Sequence, residues 1–345
     1  KELFLKGLND FNEGESFLQK KNFSEANGYF ERAAEVFSKA YETLKKEDPS
    51  LALHSITFVG EARLRQGTPQ ALIAGIGSLD RAISDSKTIE KIEYPDGIYY
   101  LKGTLAGTLA ETSEKQKYSH LAEQTLKEGL AQYPAGPFAN DIFYMMGTLA
   151  YKKGKYTEAE SIFLQVAEKN TGPILSSQAL YWAAMSAEKQ GKAKEVAQNY
   201  RRRLITDYPN APLSAEAYFL CYTYSDYLQG ERAAIKHLQG MGEHYPDSPY
   251  RLNASYLIGL DYKRDRKTPE GKWIRKRNLT AAIDHFNEVE SLYDRLQKNK
   301  LISEENEYAF VYLRYRAMLE RALANLSIAK ESEGAKREIY LEYAE

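Results

Sequence analysis

The sequence predicts an all-α fold: an array of about seven helix hairpins closed by a C-terminal capping helix. Three observations carry this. Tyr-Pro pairs stand at 94–95, 133–134, 208–209 and 245–246, with proline intervals of 39, 75 and 37, and Pro173 divides the long interval into 39 and 36. Punctuation repeated at that spacing marks a repeat architecture. Between the joints, glycines and apolar residues recur at helical offsets, as in the segment "FYMMGTLAYKKGKYTEAESIFLQV" at 143–166. Finally, 43% of the 345 residues are hydrophobic and only 11 are proline, which supplies a continuous core with few helix breakers.

The hairpin at 143–166 sets the pattern. Gly147 allows two helices to approach closely, and Gly154 suits the turn between them. Thr157 and Glu160 have capping-box spacing for the second helix, with Ala159, Phe163 and Val166 on its inner face. Gly14, Phe17, Phe23, Ala26, Phe30 and Ala33 occupy matching places, as do Gly259, Ala282, Phe286 and Val289 once an insertion is allowed. Weaker copies run through Gly60–Gly67, Gly103–Ala122, Gly191–Tyr200 and the stretch around Gly230. At the joints, the strings "YPAGPF", "YPNAPL" and "YPDSPY" read as a helix stop followed by a helix start, with Ser248 as N-cap and Pro249 as first helical residue.

This spacing resembles the tetratricopeptide-repeat family. With units of 36 to 39 residues, the Tyr-Pro joints at 133, 208 and 245, and Tyr256-Leu-Ile-Gly259 after the last, it looks like the periplasmic branch of that superfamily. That branch includes the outer-membrane-assembly lipoprotein and Tol–Pal coordinator type. The resemblance implies a right-handed superhelical solenoid whose first helices line a concave groove. It further implies a non-enzymatic scaffold that docks protein or peptide partners there, in bacterial envelope or outer-membrane protein assembly. A periplasmic setting follows, with a lipid anchor to the outer membrane in a segment upstream of Lys1. A cytoplasmic adaptor or chaperone of a secretion system is the alternative.

The organisation expected is N-terminal units over 1–90, central and C-terminal units over 91–302 with a basic insertion at 263–278, and capping helices over 303–345. The stretch 84–94 is the expected place for a hinge. In the last region Ser303 is placed to cap a long helix. Tyr308, Val311, Tyr312, Tyr315, Leu319, Ala322, Leu323 and Leu326 form one apolar stripe on it, expected to cover the open end of the last unit.

Little in the sequence points to chemistry. Cys221 is alone, which excludes an internal disulfide, and it reads as a buried small hydrophobe. The five histidines, at 54, 120, 237, 244 and 285, lack ligand spacing, although His237 and His244 could share a helix face. Gly75-Ile-Gly77 follows no strand and has no third glycine, so it does not read as a phosphate cradle. No cofactor, metal or catalytic residue is expected. A net charge of −1 argues against nucleic acid, and no apolar run reaches the roughly 20 residues of a membrane span.

Two features point to binding. Of the 27 tyrosines, Tyr100, Tyr144, Tyr151, Tyr181, Tyr224, Tyr227 and Tyr256 fall on first helices at positions that would face the groove. Tyrosine offers rigid contact area with a polar tip, yet it also packs well between hairpins, so both readings stay open. The insertion "KRDRKTPEGKWIRKRN" concentrates Lys272, Trp273, Arg275, Lys276 and Arg277 with other basic residues. It is a candidate for docking an acidic protein segment, anionic lipid or, as the least favoured of these, nucleic acid, or else a solvated loop whose tryptophan folds back.

Overall fold

The computed structural model describes residues 1–86, 95–169, 172–192, 194–222, 231–267 and 273–344. They form an α-solenoid that divides into two compact units, Lys1–Gly191 and Lys192–Glu345. The expected hinge stretch lies mostly outside the described residues.

In unit 1, α1 (Glu2–Gln19) pairs with α2 (Phe23–Leu44) and α3 (Pro49–Gln66) with α4 (Pro69–Ser86). Next, α5 (Asp96–Thr112) pairs with α6 (Lys115–Gln132) and α7 (Ala139–Lys152) with α8 (Tyr156–Glu168), and α9 (Pro173–Lys189) follows. Side-chain caps open several helices: Asp48 accepts from the Leu51 N–H at 3.1 Å, and Thr68 from the Ala71 N–H at 3.2 Å. One apolar cluster runs from Ala26 to Leu149, so the helices from α1 to α7 share a core.

Three hairpins are locked by a glycine on the first helix that receives an aromatic ring from the second, whereas in the α5–α6 hairpin Gly103 meets Leu126. A Cβ added at Gly14 would sit 2.8 Å from Phe30, one at Gly147 2.8 Å from Phe163, and one at Gly259 2.6 Å from Phe286. Ring and glycine are sixteen residues apart in the first two locks and twenty-seven in the third; the third contains the insertion. The turn follows seven residues after the lock position and is left-handed: Gly67 has φ 64°, Gly154 φ 76° and Gly191 φ 67°. In the first hairpin the matching residue is Lys21, with φ 60°.

The Tyr-Pro joints also repeat bond for bond. Tyr133, Tyr208 and Tyr245 each donate their N–H to the carbonyl four residues back, closing a helix. Each tyrosine carbonyl then accepts from the residue three ahead, Gly136, Ala211 or Ser248. The carbonyl of that residue accepts in turn from Ala139, Ser214 or Arg251, which opens the next helix. Two successive turns thus replace a direct cap. At the third joint the helix begins at Tyr250, one residue later than expected, and the Ser248 hydroxyl accepts from the Tyr250 N–H at 3.2 Å.

The expected capping box at Thr157 and Glu160 is not formed. The helix begins at Tyr156, so both residues lie within its first turns and serve the next repeat instead. The Thr157 hydroxyl donates to Gln190 Oε1 at 2.8 Å, and Gln190 Nε2 donates to Glu160 Oε2 at 2.5 Å. Burial of Glu160 makes that partner necessary.

Unit 2 contains α10 (Lys194–Asp207), α11 (Ser214–Leu220), α12 (Glu231–His244) and α13 (Tyr250–Tyr262), then α14 (Leu279–Lys298), α15 (Glu304–Lys330) and α16 (Gly334–Glu342). Between α13 and α14 the basic insertion folds as a small antiparallel ribbon, β1 (Arg266–Lys267) with β2 (Trp273–Arg275). Two apolar clusters fill the unit, one around Leu238, Met241 and Ile258, the other around Phe286, Val289 and Phe310.

α15 corrects one expectation. It packs on α14 through Phe310, Ala317 and Ala324, which recur every seven residues and are all buried. Most of the stripe expected to cover the last unit faces outward, with Tyr308 83% exposed, Tyr312 55% and Tyr315 64%, although Val311 packs against the core. Small residues let α15 approach α14 closely, and the large ones are left opposite. Ser303 stands at the N-cap, but its hydroxyl makes no capping bond.

Candidate functional site

In unit 1 the first helices touch in succession, α3 with α5, α5 with α7 and α7 with α9, making one continuous wall. The predicted tyrosines of this unit sit on it, half-buried at Tyr100, Tyr144, Tyr151 and Tyr181.

Three residues before each lock glycine stands an aromatic ring that meets the locking phenylalanine edge-on or tilted. The centroid separations are 5.4 Å for Phe11–Phe30, 5.5 Å for Tyr144–Phe163 and 6.0 Å for Tyr256–Phe286. This position therefore belongs first to hairpin packing. Tyr256 is only 8% exposed, which removes it from any open lining. Tyr224, Tyr227 and Lys272 lie outside the described residues, as does the side chain of Trp273.

Tyr144 also lies within electrostatic reach of the Trp182 side chain. Trp182, on α9 at the end of this succession, gathers several rings. Its ring lies 5.1 Å from Tyr151, 5.7 Å from Tyr181 and 6.4 Å from Phe163. One turn of chain earlier in space, Tyr100 stacks on Phe138 at 5.7 Å. Three elements are thus joined by aromatic contact around one half-buried indole.

Two carboxylates accompany these rings. Burial raises the pKa of Glu61 on α3, with Glu15 adding to the rise and Arg65 opposing it. Burial likewise raises the pKa of Asp141 on α7, and the nearby charge of Asp96 adds to it. Both carboxylates lie within electrostatic reach of Tyr100. The wall is therefore aromatic and acidic, with carboxylates held in surroundings that favour a cation beside them. The spacing of the tyrosines did not reveal Trp182, one position along from Tyr181, or these carboxylates, which resemble any other acidic residue of a solvated helix.

The basic insertion is stitched down by carboxylates. Arg275 donates to the Asp261 carboxylate at 2.6 Å and to its carbonyl at 2.7 Å, and lies 4.7 Å over the Tyr262 ring. Arg277 pairs with Glu331 and Lys263 with Glu320, while the Arg277 N–H donates to Asp265 at 2.8 Å. Arg275 is therefore an internal brace, and the exposed Arg277 pairs with Glu331 just beyond α15, so the open basic surface expected of them is partly neutralised. Lys276 is exposed.

Other candidates are structural. Cys221 is buried, and burial pushes its thiol up to about 11, which leaves it protonated at neutral pH. His237 and His244 do share a face, both packing on the Tyr218 ring at 4.2 and 5.2 Å, and burial lowers the pKa of His237. Among the described residues no group of three or more potential ligands could hold a metal. A shallow surface concavity of about 1010 Å³ is lined by Glu114, Lys115, Lys117, His120 and Lys153. No helix among the described residues is long and apolar enough to cross a membrane.

Helix hairpins packed in succession define a helical-repeat protein. The tetratricopeptide-repeat family model matches one stretch of the chain, residues 178–211. No curated protein sequence matches the chain. Among solved structures it is similar to a tetratricopeptide repeat protein from Parabacteroides merdae, at 15% identity and TM-score 0.45, covering 92% of this chain and 100% of that one. It is also similar to Pseudomonas aeruginosa pilF, at 17% identity and TM-score 0.42, covering 72% and 96%. The apo form of RapI aligns over 94% and 98%, at 12% identity and TM-score 0.47. At these values the likenesses say nothing about function.

Proposed function

We propose that the chain is a non-enzymatic docking scaffold whose unit 1 wall takes an extended or helical peptide segment bearing apolar side chains and at least one lysine or arginine. The carrying observation is the half-buried indole of Trp182 among Tyr144, Tyr151 and Tyr181, with Glu61 and Asp141 on the same run of first helices. Such rings offer contact area at low entropic cost. A cation set beside either carboxylate restores the solvation that burial removed from it. Binding requires no covalent step. The setting we propose is the bacterial envelope, in outer-membrane protein assembly, on the resemblance of the "YPxSPY"-type joints; fractionation of the native host tests it.

The wall itself is tested by placing the photo-crosslinking residue benzoylphenylalanine at Tyr144 or Tyr181 in the native host and identifying adducts by mass spectrometry. Adducts are expected on one or a few proteins, at a segment with a basic residue. Trp182→Ala in the same background should reduce them by about tenfold or more. Adducts scattered over many abundant proteins, or undiminished by Trp182→Ala, would overturn the reading.

A further inference from the structure

Tyr308, Tyr312, Tyr315, Leu319, Ala322 and Leu326 follow one another at intervals of four, three, four, three and four along α15. That is the heptad spacing of a seam between two helices. Phe310, Ala317 and Ala324 hold the opposite face of α15 against its own unit, so the seam points away from the body that anchors it. Besides the three tyrosines, Leu319 is 54% exposed, Leu323 42% and Leu326 37%. At roughly 200 Å² for each fully exposed side chain, the patch amounts to about 700 Å². A monomer's largest apolar patch is typically about 300–600 Å², and a stable complex buries about 800 Å² on each partner. The area is that of an interface half.

The order of residues selects the occupant. The aromatic half of the seam comes first and the aliphatic half second. The first turn of α15 holds Glu304, Glu305 and Glu307, and the last turn holds Lys330. A second α15 running antiparallel about a two-fold opposite residue 317 sets Tyr308 on Leu326, Tyr312 on Ala322 and Tyr315 on Leu319. Every layer then joins a large ring to a smaller aliphatic group, and Glu304 lies opposite Lys330. A parallel pair would instead stack tyrosine on tyrosine and acidic turn on acidic turn. A self-complementary patch of this kind is what a two-fold homodimer requires.

We infer that two copies of this chain associate through an antiparallel α15–α15 seam. This rests on unit 2 alone and is independent of the peptide wall in unit 1. Sedimentation equilibrium of the whole chain is expected to show a dimer. Tyr315→Glu with Leu319→Glu, on side chains exposed in the single chain, should raise the dissociation constant by about 100-fold or more and leave the helical circular dichroism unchanged. For the orientation, Tyr312→Cys with Ala322→Cys in one chain should form disulfide-linked dimers on mild oxidation, and either substitution alone should not. A chain that stays monomeric to about 100 µM overturns the proposal, even if this face then captures another protein's helix. A dimer indifferent to the double glutamate substitution does so too, and single cysteines that cross-link as well as the pair overturn the antiparallel arrangement.

Discussion

The ring of Phe163 lies against Gly147 so closely that a methyl group there would come within 2.8 Å of it. The contact joins the two helices of the fourth hairpin, and the neighbouring Tyr144 ring closes on the same phenylalanine at 5.5 Å. Gly147→Ala must therefore push the helices apart or force the ring off its rotamer. The expected loss is about 1–3 kcal/mol in urea unfolding followed by circular dichroism. Phe163→Leu on top of it should recover part of the loss by giving the methyl room; a Gly147→Ala protein as stable as the parent would contradict the lock.

The same hairpin logic shows what could be read from the sequence. Gly14, Gly147 and Gly259 were legible because close helix approach leaves few alternatives to glycine, and their phenylalanines follow at helical spacing. The joints were legible because proline cannot continue a helix. Burial direction was harder. The α15 stripe is as apolar as a core face, and only the packing of Phe310, Ala317 and Ala324 shows that the smaller residues face inward. Tyr144 and Tyr256 share a position, yet one reaches Trp182 and the other is closed off; that difference comes from neighbouring helices. Arg275 and Arg277 looked like free charge, because their partners Asp261 and Glu331 come from α13 and from the end of α15.

Lys21 carries the left-handed turn that Gly67, Gly154 and Gly191 carry elsewhere, at φ 60°. A side chain there places Cβ against the following carbonyl, at a cost of about 1–2 kcal/mol relative to glycine. The glycine also gains freedom when unfolded, which offsets part of the relief. Lys21→Gly is expected to stabilise the protein by about 0.5–1 kcal/mol, read as a higher urea midpoint with unchanged slope. A fall in the midpoint would show that the Lys21 side chain contributes more than its backbone costs.

Glu61 stands on the proposed peptide wall with its pKa raised, first by burial and then by Glu15, against the pull of Arg65. A carboxylate raised in the folded state favours folding while protonated and opposes it once ionised. The opposition grows as pH rises from the unfolded value near 4.5 through the folded value, and at neutral pH it is complete. Glu61→Gln should therefore raise the melting temperature at pH 7 by roughly 1–3 °C, a difference that shrinks toward zero below about pH 4. The same variant should weaken binding of a lysine- or arginine-bearing segment. Stability gained where binding is lost is the signature expected of a group kept for recognition.

Glu288 titrates in the opposite sense. His285, then Arg251 and Ser255, donate to its carboxylate and hold the pKa down at about 2 against the desolvation of its site. Ser255 Oγ reaches it at 2.8 Å and Arg251 Nη2 at 2.6 Å, so α13 and α14 are tied together through this one group. A carboxylate depressed in the folded state stabilises the protein above its unfolded pKa near 4.5, and the contribution disappears as pH falls toward 2. After allowance for solvent screening at a partly exposed group, the contribution at neutral pH is about 1–2 kcal/mol. Glu288→Gln should lose that amount at pH 7, measured by urea unfolding of the whole chain, and should converge on the parent protein at about pH 2. Equal losses at both pH values would mean that shape and hydrogen bonding, rather than the charge of Glu288, hold these two helices together.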